Sequence, residues 1–165
     1  MKLAEALAMR NGHQAHIQDL EQRLRRSSQV QMGDNPPENP EELLSDMERT
    51  FRELQRLISA IDRTNSHATA EGKTLAELLI ERNLLRSRQH ILERLLAEAS
   101  IRSVRQTKSE IRFVTTIRIP QIQKDIDALG AEYRRLDMVL QAANWSVELI
   151  EKAEDPEAEV PTTEV

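Results

Sequence analysis

Apolar residues return along this chain every three or four positions, the spacing that lines one face of an α-helix. The most regular stretch is Ile122, Ile126, Leu129, Tyr133, Leu136, Leu140 and Ala143, which alternates steps of four and three as a coiled-coil seam does. Pro120 stands at its start, where a missing backbone N–H costs nothing. Leu44, Met47, Phe51, Leu54, Ile58 and Ile61 form a second seam. Asn39, Pro40 and Glu42 before it supply a cap, a first-turn proline and a capping box. A third helix opens at Thr74 with Glu77 three residues on, and runs to about Ser100. It bears two apolar stripes. Leu75, Leu78, Leu85, Leu92 and Leu96 make one; Ile80, Leu84, Ile91 and Leu95 make the other. A face that wide needs more than one neighbour, so this helix is either central or meets another subunit. The first helix, from about Lys2 to Ser27, has Leu3, Leu7, Ile17, Leu20 and Leu24 on its seam, interrupted by Arg10 and Gln14.

Between the third and fourth helices the period changes to two. Ile111, Phe113, Thr115, Ile117 and Ile119 alternate with Arg112, Val114, Thr116 and Arg118, which predicts a strand over about 111–119. The segments Gln31–Asn39 and Ser66–Lys73 are polar turns, with Gly72 expected at positive φ. The predicted fold is therefore all-α, an antiparallel four-helix bundle with a small β element at about 111–119. Residues 1–151 form the helical domain. Residues 152–165, with Glu154, Asp155, Glu157, Glu159, Glu164, Pro156 and Pro161, form an acidic tail expected to be disordered.

Several stretches taken together resemble a bacterial septicolysin-like family: MKLAEAL at 1–7, RTNS at 63–66, GKTLAELLIERN at 72–83, SEIRFV at 109–114 and ANW at 143–145. The resemblance covers residues 1 to about 150. It implies a compact helical protein whose biochemical role is not established, and it carries no catalytic residues onto this chain.

Composition narrows the chemistry. The 165 residues contain no cysteine, which removes thiol catalysis and Cys-ligated metal sites. No dinucleotide, P-loop or nucleophile-elbow motif occurs, and no HExxH or Glu-x-x-His pair. His13 and His16 are spaced for joint ligation, but without those patterns they read as surface histidines, and no metal or cofactor is expected. No apolar run approaches the ~20 residues of a membrane span, and the N-terminal residues lack an export h-region. A cytoplasmic protein without membrane partners is expected.

Two clusters are candidate sites. In an up-down-up-down bundle Arg10 and Arg82 sit on their seams at the height of Asp137. They form either a structural ion-pair layer or, with Asn11 and Asn83, a pocket for a small anion. The first reading is favoured, because buried polar layers commonly set helix alignment. Asn65, Asn144 and Trp145, with Ser66, gather at the other end. There they either terminate helices and cap the core, or hold a ligand beside helix N-termini. Residues 82–118 hold nine Lys or Arg against three Glu in a chain of net charge −5. That excess permits nucleic-acid binding, yet Phe113 is the only aromatic among them, so nucleic acid ranks low. The reading that fits best is a non-catalytic, self-associating helical protein. A nucleic-acid accessory role and an anion-binding role stand as alternatives.

Overall fold

The computed structural model describes residues 1–101 and 114–151. The elements in order are α1 (Leu3–Ser27), α2 (Pro40–His67), β1 (Thr69–Ala70), β2 (Lys73–Thr74), α3 (Leu75–Ile101) and α4 (Ile119–Ser146). The fold is all-α with a small β element, as the periodicity requires. The chain divides into two compact units, Met1–Ala68 with Asn144–Val165, and Thr69–Ala143.

In the first unit α1 and α2 run antiparallel. His13 faces Glu53, His16 faces Asp46 at 3.3 Å, and Arg23 grips Glu38 through both carboxylate oxygens. Asn39 caps α2 as expected, its side-chain oxygen accepting from the Glu41 N–H at 3.0 Å. The core is built from Leu3, Ala6 and Leu20 of α1 against Leu43, Leu54, Leu57, Ala60 and Ile61 of α2. The inward stripe of α2 is thus Leu43, Thr50, Leu54, Leu57, Ile61 and Thr64, one step round from the expected seam. Leu44, Phe51 and Ile58, placed inside by the sequence, are 47%, 46% and 37% exposed. Two threonines hid the true stripe. Both are buried because each hydroxyl donates to the carbonyl one turn back, Thr50 to Asp46 at 2.9 Å and Thr64 to Ala60 at 2.8 Å.

The segment after α4 closes this unit. Leu3 N–H donates to the Val147 carbonyl at 3.0 Å and Leu149 N–H to the Met1 carbonyl at 2.8 Å. Ile150 N–H donates to the Thr64 hydroxyl at 2.9 Å, and Arg63 donates to the Ile150 carbonyl at 3.1 Å. Glu148 receives the Lys2 ammonium at 2.7 Å and the Met1 amino group at 3.2 Å.

In the second unit β1 and β2 form a two-residue hairpin whose turn residues, Glu71 and Gly72, both have positive φ, +50° and +76°. That is the backbone a type I′ turn demands. The glutamate held in this left-handed conformation is fastened by two hydrogen bonds from Arg135, at 2.9 and 2.8 Å. The small β element therefore lies at 69–74. Of the strand expected at about 111–119, residues 114–118 are irregular and Ile119 already begins α4. Pro120 lies in the first turn of α4, where its preset φ and missing N–H fit, and the Gln121 and Ile122 N–H groups close that turn onto the Arg118 carbonyl. Residues 111–113 of that strand, and the acidic tail from 152 on, lie outside the described residues.

α3 and α4 also run antiparallel. Contacts pair Arg82 with Asp137, Arg86 with Tyr133 and Gln89 with Gly130, so each step up α3 is a step down α4. The expected seam of α4 faces inward, with Ile126, Leu136, Leu140 and Ala143 buried. Gly130 is buried within α4. A Cβ there would lie 3.4 Å from the side chains of Gln89 and Arg134.

The two buried threonines make different predictions. Thr64→Val leaves the Ile150 N–H without its acceptor and should cost ~1–3 kcal/mol. Thr50→Val removes only a bond within its own helix and should lie within ~0.5 kcal/mol of the parent. Urea denaturation of the two variants checks the difference.

Candidate functional site

The α3–α4 contact carries the polar layer. Arg82 Nη1 donates to Asp137 Oδ1 at 2.9 Å, and Nη2 to Asn83 Oδ1 at 3.2 Å. Arg82 is 23% exposed and Asp137 36%, a half-buried link rather than a sealed one. Arg82 Nε is buried without a hydrogen-bond partner among the described residues. One turn on, the Arg86 guanidinium lies 5.4 Å from the centroid of the Tyr133 ring, a cation–π contact. Arg10, in the first unit, donates through Nη2 to Asn11 at 3.2 Å, and its Nε is likewise buried and unpartnered. Within the second unit the carboxylate already neutralises Arg82, so a bound anion there would compete with Asp137.

At the other cluster the helices run further than expected. α2 ends at His67 and α4 at Ser146, so Asn65 and Asn144 sit inside their last turns, and neither has the left-handed backbone foreseen for it. Both are half-buried, and no hydrogen bond joins them among the described residues. Trp145 is 67% exposed and does not cap the core.

A feature that sequence reading missed is an open groove of about 460 Å³ in the first unit, lined by Met9, His13, Glu53, Arg56, Leu57 and Leu149. Its lining is mainly apolar and includes charges of both signs, Glu53 and Arg56. Among the described residues no three His, Asp or Glu side chains gather as a metal site.

The most distinctive surface is the outer face of α3. Of its two stripes, one turns inward: Leu75 and Leu78 are buried, and Leu85, Leu92 and Leu96 half-buried. The other stays in water. Ile80 is 60% exposed, Leu84 59%, Ile91 55% and Leu95 40%. Isolated exposed leucines are ordinary, but four large apolar side chains aligned on one helix face make a patch. Glu81 pairs with Lys73 at its edge. Arg88 and Arg94 have no ion-pair partner among the described residues.

Residues 10–149 match a family described as a family of unknown function, DUF6847. The chain belongs to this family. It is also similar to a functionally unknown conserved protein from Corynebacterium diphtheriae, known from a crystal structure. The identity is 38% over 91% of this chain and 99% of that one, with a TM-score of 0.86. No curated protein matches. The expectation of a helical family without an established role agrees with these matches, whereas the septicolysin-like name finds no support in them. No helix among the described residues is long and apolar enough to cross a membrane.

Two predictions come from this chemistry. Asp137→Ala removes the partner of a half-buried arginine and should cost roughly 1–2 kcal/mol, less than the ~3–5 kcal/mol of a fully buried pair; chemical denaturation measures it. The second concerns acid. Glu148 beside Lys2 and the terminal amine, Glu38 on Arg23, Glu77 on the Thr74 backbone and Glu132 on Arg135 are all held below the ordinary carboxylate value of 4.5. Carboxylates lowered by folding stabilise fully above their unfolded pKa and lose that stabilisation as pH falls through the folded one. Melting temperature should therefore hold steady above about pH 5 and fall below about 4.5. Glu148→Gln should flatten part of that fall in a pH series of thermal melts.

Proposed function

We propose that this is a non-catalytic protein that acts by associating with itself, and that its working surface is the outer face of α3. The observation that carries this reading is the exposed stripe Ile80, Leu84, Ile91 and Leu95. The composition, 31% charged and free of cysteine, suits a cytoplasmic setting. The anion-binding alternative is disfavoured by the carboxylate already seated on Arg82. The nucleic-acid alternative loses two of its basic groups, since Arg82 is taken by Asp137 and Arg86 by the Tyr133 ring. Its residues Arg102, Arg105, Lys108 and Arg112 lie outside the described residues.

The strength of the association follows from how much of the stripe leaves water. About half of each side chain is accessible, and burying that half is worth roughly 1 kcal/mol apiece, contributed by each copy. Loss of translational and rotational freedom opposes this by several kcal/mol or more. The two copies together contribute ~8 kcal/mol, so after that cost the stripe by itself supports a dissociation constant of about millimolar order.

Sedimentation over a concentration series tests the reading. The mass should rise from the 19.0 kDa of one chain toward twice that as the concentration approaches about millimolar. Leu84→Glu, at a position already largely in water, should keep its helicity and stay at the single-chain mass. An unsubstituted protein that remains at 19.0 kDa throughout would remove self-association as its function.

A further inference from the structure

The exposed stripe has a symmetry of its own. Its members are spaced four, seven and four residues apart, the same in both chain directions. An antiparallel copy of α3 laid against it, with its midpoint between Ser87 and Arg88, sets Ile80 opposite Leu95 of the copy. It sets Leu84 opposite Ile91, and the same two contacts recur on the other side of the midpoint. A stripe that is its own complement under a two-fold rotation is what an isologous dimer requires. At the midpoint stands Ser87, small and exposed, on the seam one step of three after Leu84. A small residue there lets two helices approach at 8–10 Å between axes.

We infer that α3 pairs with α3 of a second copy, antiparallel, about a two-fold axis between Ser87 and Arg88. The inference rests on the self-association reading and adds to it the direction and register of the contact. The same rotation brings the two Arg88 side chains to one side of the axis near each other. Their like charge opposes pairing, so added salt, which screens it, tightens this dimer. A contact held by opposite charges or by a polyanion loosens with salt instead.

The chain has no cysteine, so single substitutions report the register cleanly. Facing residues on helices at this separation bring Cα atoms within disulfide range. Under mild oxidation Ser87→Cys should therefore cross-link to itself. Its rate should exceed that of Ser45→Cys, an exposed control on α2, by ~tenfold or more because the thiols are held together. Ile80→Cys and Leu95→Cys should each fail to cross-link with themselves, since each lies ~22 Å along the axis from its own copy. Mixed together they should cross-link. If Ile80→Cys joins to itself and the mixture gains nothing, the helices run parallel and the inference is wrong. If the unsubstituted protein dimerises by mass while Ser87→Cys reacts no faster than the control, self-association stands and this register falls. If the mass never rises, the self-association reading itself falls. Weakening of the dimer by salt would also overturn the proposed contact.

Discussion

The structure turns on a geometric limit. A helix offers one neighbour only a stripe of its circumference, about 100° wide, and α3 carries apolar residues over roughly twice that. Its inward stripe is met by α4, through the step-for-step register that pairs Arg82 with Asp137 and Arg86 with Tyr133. What remains cannot be covered by the same neighbour. Ile80, Leu84, Ile91 and Leu95 are left in water for that reason and not through any local distortion, since α3 is continuous from Leu75 to Ile101. The surplus was legible in the sequence, where two stripes on one helix are plain. Which stripe stays outside was not, because periodicity reports angles around a helix and not the identity of the neighbour.

α2 shows where periodicity misleads. The apolar residues Leu44, Phe51 and Ile58 recur every seven positions and invite the core to that side. The helix turns instead to bury Thr50 and Thr64, and a pattern scored on apolarity gives such positions no weight. A threonine can return its hydroxyl to the carbonyl one turn back and lie inside at little cost. Thr64 does more, because it also accepts the Ile150 N–H and ties the segment after α4 to the end of α2. A contact between residues 86 positions apart leaves no local signature. Caps, by contrast, were readable in advance. Asn39 with Glu42, and Thr74 with Glu77, bond within three residues and so depend on nothing beyond the segment itself.

The β element was expected at the wrong place for a related reason. Alternation from 111 to 119 carries the strand period, but a strand exists only where its backbone finds a partner. The hairpin at 69–74 finds one two residues away, with Gly72 supplying one left-handed position. The other falls on Glu71, a residue type that rarely takes such a backbone. Arg135 supplies the compensation with a bidentate grip. Neither the glutamate's conformation nor its partner on a distant helix can be read from a short polar loop.

Two exposed apolar sets therefore compete as the surface that another molecule would recognise, and they differ in kind. Leu44, Phe51 and Ile58 of α2 flank the stripe that forms the core of their unit, and none exceeds 47% exposure. They are the shoulder of a buried face. The α3 set lies on a different side of its helix from the buried Leu75 and Leu78, flanked by polar positions such as Asn83 and His90 on one side and Glu81 and Arg88 on the other. A detached face of this kind buries nothing within its own unit. The half-buried Arg82–Asp137 link belongs to the same logic. It fixes how α4 meets the inner stripe, and thereby fixes the angle at which the outer stripe faces away. A polar pair on the inner side of α3 is thus part of the contact that leaves the apolar outer stripe facing away from α4.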